Sequence, residues 1–391
     1  MTLEELAASL GFSSFPPLFA VALAVALVVG LIIFVPILLR VIEIANYAYS
    51  NSRIQVMSSR IIPEEKLKEM IEASSLAEVV AALEATEYSP YLREMMDERS
   101  EAIERALNRH TADSYREVAT MVPMNFKKIL AVLLRKWDVY NIKMILRGVY
   151  AERSPDDIRA DLVPVGELDP SKIGVLVEAR SLEEVISNLD GTPYSRLAES
   201  LQLFDQTKNL TVFEATLDKI LYEDAWGYAT SQPLDENLLS LKNYLATNID
   251  VVNLKFVFRA KRDGLAAGSI EGYLVKGGNL AESLIKSILE VDSVDNVVAA
   301  LEGTKYYQPV LAAVPEYEST RSILPIELAL DGYLARVGKD ISITQPFGIG
   351  PAIGYLSMKE MEIRNVRTLA RGIESGLSAD EIRNLIMKVG S

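Results

Sequence analysis

The sequence predicts an all-α protein in which three related helical domains follow one membrane-spanning helix. The first observation is a ten-residue pattern, acid-x-x-Asn-apolar-base-x-x-x-Arg, at residues 138–147, 250–259 and 362–371. We call these three stretches the repeat segments. Each begins 112 residues after the one before it (250 − 138 and 362 − 250). The second observation is a long apolar run near the N-terminus, and the third is that only residues 341–344 alternate as a strand does.

The N-terminal run from Leu18 to Leu39 is almost wholly apolar and carries no charge. As a helix its 22 residues would extend ~33 Å, which matches the ~30 Å hydrocarbon core of a bilayer. A secretory signal is one alternative, but it needs basic residues before the run, and none precedes Arg40. A buried core helix is the other, but this length without charge is unusual for one. We therefore predict a transmembrane helix.

The charges on either side of the run predict its orientation. Glu4 and Glu5 precede it, whereas Arg40, Arg53 and Arg60 follow it. By the positive-inside rule, the body of the chain lies on the cytoplasmic side. The prediction is a cell-membrane protein with a single-pass N-terminal anchor, residues 1–45.

Further elements recur in one order around each repeat segment. The first is a helix with a capping-box-like start at Ser75, Ser181 or Ser293. A Thr-x-Tyr turn follows at residues 86–88, 192–194 and 304–306, and then a middle helix marked by Glu104, Glu214 or Glu327. Such repetition predicts similar domains, which we place at residues 46–152, 153–263 and 264–391. The third domain carries an extra glycine- and proline-rich stretch, from Gly338 to Gly354, that we expect to be a loop.

Composition excludes several kinds of site. The 391 residues include 40 basic and 54 acidic side chains, for a net charge of −14, and no basic stripe suited to nucleic acid. There is no cysteine, so thiolate metal sites and cysteine nucleophiles are excluded, and the single histidine, His110, excludes a two-histidine metal site. The glycines near residue 350 lack the strand and the Gly-Lys-Ser/Thr of a phosphate loop. We predict no catalytic residue, metal or cofactor.

The repeat segments are the one specific polar pattern, and they allow two interpretations. In the structural interpretation, the asparagine ties its helix to a loop and the basic residues are neighbours four apart on one face. In the functional interpretation, three equivalent polar faces surround a central axis and form a socket for a partner. The predicted partner-binding residues are Asn141, Lys143, Arg147, Asn253, Lys255, Arg259, Asn365, Arg367 and Arg371.

Three similar domains in one chain can close into a pseudo-threefold funnel that grips a roughly cylindrical partner. Tandem enzymes would each need an active site, and no nucleophile–base pair supports a hydrolase. A membrane-anchored scaffold with three helical repeats remains the alternative.

Several stretches resemble the C subunit of archaeal A-type (V/A-type) ATP synthases, the counterpart of the d subunit of eukaryotic V-ATPases. The resemblance covers about residue 46 to the C-terminus. It begins with Tyr-Ala-Tyr-Ser-Asn-Ser-Arg at residues 47–53 and Met-Ser-Ser-Arg at residues 57–60, and continues through the Thr-x-Tyr turns. It is most specific at Pro-Phe-Gly-Ile-Gly-Pro-Ala-Ile-Gly-Tyr, residues 346–355, and Lys-Glu-Met-Glu-Ile-Arg-Asn, residues 359–365.

The resemblance implies a non-catalytic rotor part, present in one copy per complex, that binds no nucleotide. It implies a funnel of three helical domains seated on the membrane ring of proteolipid subunits, whose mouth receives central-stalk subunits D and F. Residues 1–45 depart from the soluble members of that family. The contact of Leu18 to Leu39 is either membrane lipid or the lumen of the ring. Because a helix on a rotating part cannot sit in the lipid outside the ring without sweeping through the stator, we expect it to lie on the rotation axis, in the lumen of the ring.

Overall fold

The computed structural model describes residue 5 and residues 17–93, 99–233, 235–264 and 267–388. Across these residues the secondary structure is helical and no strand is found, which confirms the all-α prediction. The chain divides into two compact units, Met1–Tyr49 and Ser50–Ser391, and each is described by itself.

The helices are numbered here in chain order. The N-terminal ones are α1 (Pro17–Ser58), α2 (Glu64–Ile71), α3 (Leu76–Glu84), α4 (Ser89–Leu92), α5 (Ser100–Met121), α6 (Met124–Tyr150) and α7 (Pro155–Ala160). The middle ones are α8 (Pro170–Val177), α9 (Leu182–Ser187), a 3-10 helix (Pro193–Ser200), α10 (Leu201–Thr207), α11 (Thr211–Ser231) and α12 (Glu236–Arg262). The C-terminal ones are α13 (Ala267–Ile270), a 3-10 helix (Glu271–Tyr273), α14 (Glu282–Glu290), α15 (Val294–Ala300), α16 (Tyr307–Thr320), α17 (Leu324–Thr344), α18 (Gly350–Glu374) and α19 (Ala379–Leu385).

The first unit contains the apolar part of α1. Its stretch Val21–Leu39 has a mean hydropathy of 3.1 and is not buried against other protein residues. Its length and composition are those of a helix that crosses a membrane, and helix formation across the predicted run is confirmed. Whether it spans a membrane stays a prediction.

The predicted helix starts in the second unit are confirmed. Ser75, Ser181 and Ser293 each accept a hydrogen bond from the backbone N–H three residues later. Gly191 and Gly303 lie in the turns that follow two of these helices and have φ angles of +76° and +81°. Glycine adopts this left-handed conformation without the steric cost that other residues meet, so it suits these turns.

The apolar stripe of each repeat segment lies in its own hydrophobic core. The repeat segments belong to α6, α12 and α18, and their stripes are fully buried. The three stripes are Ile142, Ile145 and Leu146; Leu254, Val257 and Phe258; and Val366, Leu369 and Ala370. The stripes predicted from helical spacing are therefore confirmed.

Each core joins a repeat segment to the elements that follow it in the repeat order. The first core runs from Val139 to Leu221 and the second from Val251 to Leu330. The third combines residues 363–386 of the C-terminal helices with residues 70–107 near the N-terminus. The domain boundaries stay a prediction, but packing pairs each repeat segment with the next capped helix and middle helix, and the last segment with the first ones.

The expected loop from Gly338 to Gly354 is wrong over most of its length, because only residues 345–349 lie outside helices. Two of the glycines instead lie where α17 and α18 pack closely together. A Cβ on Gly338 would lie 2.3 Å from the Ser357 Oγ, and one on Gly354 would lie 2.4 Å from the Ser342 Cβ. Both positions need glycine because α17 and α18 approach closely there, which the sequence pattern does not distinguish from a loop.

Candidate partner-binding site

The asparagine of each repeat segment is buried and holds the backbone of a residue 22 positions later. The Asn141 Nδ2 donates to the Val163 carbonyl at 2.9 Å, and the Val163 N–H donates to the Asn141 Oδ1 at 2.8 Å. The same two bonds join Asn253 to Val275 and Asn365 to Met387. An amide side chain has both a donor and an acceptor, so it satisfies both groups of one buried residue. The structural interpretation of the asparagines is confirmed.

The acidic residue of each repeat segment accepts several hydrogen bonds in a buried position. Asp250 accepts from the backbone N–H of Asn279 at 2.8 Å, from that of Leu280 at 3.2 Å and from the Tyr306 hydroxyl at 2.6 Å. Asp138 has the same three partners in Glu167, Leu168 and Tyr194. In the third segment Glu362 accepts from the Ile62 N–H and the Tyr88 hydroxyl. The tyrosine of each Thr-x-Tyr turn therefore bonds the acid of a repeat segment.

Two glycines allow the loops to reach these acids. A Cβ on Gly166 would lie 1.9 Å from the Asp138 Oδ1, and one on Gly278 would lie 2.2 Å from the Asp250 Oδ1. The backbone therefore approaches the carboxylate where no side chain fits. Burial raises the pKa of both aspartates above its usual value, and the hydrogen bonds that they accept offset part of this effect.

The basic residues of the repeat segments form ion pairs with the middle helices. Lys255 lies 2.8 Å from Asp331, and Arg259 lies 2.5 Å from Glu327. In the first segment Lys143 pairs with Asp218 and Arg147 with Glu214. In the third, Arg367 donates to Asn108, and Arg371 pairs with Glu104. The acids that mark the middle helices are thus the partners of the repeat-segment arginines.

Exposure separates the nine predicted partner-binding residues into three classes. The three asparagines are buried, at most 2% exposed. The lysines and Arg367 keep only 19–23% of their side chains exposed. Arg147, Arg259 and Arg371 keep 54%, 53% and 64% exposed. Only these last three arginines combine a fixed position with a large solvent-facing surface, and contact between any of the nine and a partner stays a prediction.

A polar contact that the sequence reasoning missed lies two residues before each acid. Lys136, Asn248 and Glu360 occupy these positions, again 112 residues apart (248 − 136 and 360 − 248). Lys136 forms an ion pair with Glu360, which also accepts from the Tyr115 hydroxyl at 3.0 Å. Burial alone would lower the pKa of Lys136, but the Glu360 charge raises it above its usual value. The signal was a polar residue at the same offset in all three copies.

The third segment also has a buried ion cluster without counterpart in the described residues of the first two. Lys359 is fully buried and forms ion pairs with Glu87 and with Glu362. Its ammonium lies 5.0 Å from the centre of the Tyr88 ring, and His110 packs 4.5 Å from the same ring. His110 is buried and packs against this aromatic ring. Across the part of the chain that the structure describes, no group of three or more acids or histidines is arranged to hold a metal ion.

Comparison with known proteins shows the family of the chain. The family model described as ATP synthase (C/AC39) subunit matches residues 50–385. The A-type ATP synthase C subunit of Methanocaldococcus jannaschii is 36% identical over 353 residues, 89% of this chain and 88% of the relative. The C subunit of Methanosphaera stadtmanae is 32% identical over 99% of both chains, and that of Pyrococcus abyssi is 30% identical over 87% and 90%. The chain belongs to the ATP synthase (C/AC39) subunit family.

Proposed function

We propose that this chain is the C subunit of an A-type ATP synthase, a non-catalytic rotor part that links the central stalk to the membrane proteolipid ring. In this role it couples ion translocation to ATP synthesis or hydrolysis. The observation that carries the proposal is the triplication of one hydrogen-bonded network in a chain of the C/AC39 family. Three equivalent faces suit one partner held along an axis better than they suit three separate substrates.

The proposed stalk contact is made by the three half-exposed arginines. Each guanidinium has five N–H donors in a rigid fork, and one acid of a middle helix uses only part of them. The ion pair fixes the side chain in advance, so little conformational freedom is lost when a partner acid binds the remaining donors. The stalk partners in this proposal are subunits D and F.

The proposed membrane contact is made by α1. Val21–Leu39 would extend ~29 Å as a helix, close to the ~30 Å of a bilayer core. On a rotating part, such a helix avoids the stator only if it lies near the rotation axis. We therefore place it in the lumen of the proteolipid ring, with the body of the chain on the cytoplasmic side and one copy in each complex.

Affinity purification of the tagged chain from gently solubilised native membranes tests the assignment. We expect head, stalk and proteolipid subunits to be recovered together, with ATP hydrolysis in the same fraction. Recovery of the chain alone, from membranes whose ATPase is intact, would favour a triple-repeat scaffold unrelated to rotation. A density map of the complex with α1 outside the ring would contradict the axial position alone.

A further inference from the structure

An open cavity of about 990 Å³ lies in the second unit beside the third repeat segment, whose Glu362 and Asn365 contribute to its lining. Its apolar lining comes from the segment after α1, from α2, α17 and α18, and from the residues that follow α19. The main apolar side chains are Ile62, Leu67, Ile343, Met358, Met361 and Ile386. Its volume is at the upper end of the ~300–1,000 Å³ of small-molecule sites, and Ile343 is 66% exposed. An apolar surface of this size indicates a ligand with a large hydrocarbon part.

The charges of the cavity lining are unbalanced toward cations. Five basic and three acidic residues contribute, but Lys68 pairs with Glu64, Arg383 with two acids outside the lining, and Glu362 with Lys359. Counting partners among the described residues only, the cations left without an ion pair are Arg336, Lys339 and Lys388, and the one acid left is Asp340. The Arg336 Nε is buried and has no hydrogen-bond partner in that same part of the chain. This cationic excess contrasts with the chain's net charge of −14.

We propose that the cavity binds a membrane lipid with an acidic headgroup. The hydrocarbon chain lies against the isoleucines and methionines, and the headgroup oxygens accept hydrogen bonds from Arg336 and Lys339. An unpaired buried donor is costly, and an anionic oxygen is the partner that a guanidinium binds best. The inference uses the proposed membrane location of the chain but not its proposed role in coupling.

The test uses the full-length chain in detergent micelles with phosphatidylglycerol that carries a diazirine on one acyl chain. After illumination, cross-linked peptides are mapped by mass spectrometry. We expect labels in residues 58–71 and 354–366, in addition to labels on the apolar part of α1. The double variant Arg336→Glu/Lys339→Glu should lose about tenfold of the labelling at the cavity, while that of α1 is unchanged.

Two further measurements distinguish the effect of the cavity's shape from the effect of the lipid headgroup. Met358→Trp narrows the cavity without changing its charge and should also reduce labelling there, so the test does not depend on the charge variant folding. Phosphatidylcholine with the same chain should label the cavity about tenfold less, and inorganic phosphate should not displace the probe. Labels confined to α1, equal labelling by the neutral lipid, or displacement by phosphate would each overturn the proposal. Labelling of the cavity that appears only after deletion of residues 389–391 would also overturn the proposal, because the chain's own C-terminus would then occupy the cavity.

Discussion

A buried asparagine that satisfies both backbone groups of another residue is difficult to replace. Asn253→Ala leaves the N–H and the carbonyl of Val275 without partners in the protein interior. Each unsatisfied buried group costs about 1–3 kcal/mol, so we expect the free energy of unfolding to fall by about 2–4 kcal/mol. Chemical denaturation of the detergent-solubilised chain measures this. The matched control is Asn384→Ala at an exposed helix position, which should change stability by less than about 0.5 kcal/mol. Equal effects of the two substitutions would refute the structural role.

Asp331 gives stability a defined pH dependence. Burial alone would raise the pKa of Asp331, but the charges of Lys255 and Arg364 hold it below its usual 3.8. A lowered folded-state pKa stabilises the fold above pH ~4, and this contribution is lost as the pH falls below that value. Asp331→Asn leaves two cations unpaired and should cost about 3 kcal/mol at pH 7.

The measurement for Asp331 is the difference in unfolding free energy between wild type and variant at pH 7 and near pH 3. The difference should shrink on acidification, because below pH ~4 the unfolded chain binds a proton at Asp331 and the contribution of the folded-state ion pairs is lost progressively. Asp156→Asn is the control, since that side chain is 94% exposed and pairs only at the surface. A difference that does not change with pH would rule out this account of Asp331.

At this scale the sequence predicted roles best where the chemistry is local. The serine caps and the link from asparagine to loop follow from one residue type at a fixed position near a helix. The Lys136–Glu360 pair and the Lys359 cluster could not be predicted, because their partners lie more than 200 positions apart. Only the three-dimensional packing shows which charges are neutralised.

At the scale of helices, the main feature is that the first and last helices of the second unit share one hydrophobic core. Leu369 of α18 shares a core with residues of α2 to α5. Leu369→Ala should therefore destabilise this core by about 2–4 kcal/mol and increase hydrogen exchange in Glu64–Ile71 and Ser100–Met121. Hydrogen-exchange mass spectrometry measures each helix separately.

Leu254→Ala is the matched control for this experiment, because Leu254 is equally buried but belongs to the second core. It should increase exchange in α14 to α17 and leave α2 to α5 protected. If Leu369→Ala left the N-terminal helices protected, the shared core would not be the unit that unfolds together.

The repeat period and the helical elements could be predicted from the sequence, but their grouping could not. A periodic chain defines the length of the repeating unit without defining where each unit begins. The three cores settle which elements pack together, since Tyr88 bonds Glu362 rather than the acid of the repeat segment that follows it. The glycines of α17 and α18 were mistaken for a loop because close helix contact and turn formation select the same residue.

At the scale of the whole molecule, the half-exposed arginines are expected to matter together. Reversal of Arg147, Arg259 and Arg371 to glutamate should weaken stalk binding about tenfold, equivalent to about 1.4 kcal/mol, because each interface charge contributes a fraction of that energy. Pulldown of subunits D and F by the variant chain, with its melting temperature measured in parallel, tests this. Unchanged binding by a folded variant would leave these arginines with only their internal ion pairs.

The control for this variant reverses Arg116, Arg159 and Arg196. These arginines also pair with acids and keep 54%, 49% and 45% of their side chains exposed, but they lie outside the repeat segments. Their reversal should lower stability by a similar amount and leave stalk binding intact. Equal losses from both variants would indicate a general effect of charge.

The proposed coupling role is tested most directly by ATP-driven ion pumping in proteoliposomes that contain the complex assembled with or without this chain. Both preparations hold the same catalytic head and the same proteolipid ring. We expect ATP hydrolysis to persist without the chain, pumping to stop, and pumping to return when the chain is added back. Pumping at the full rate in its absence would contradict a role in transmitting rotation.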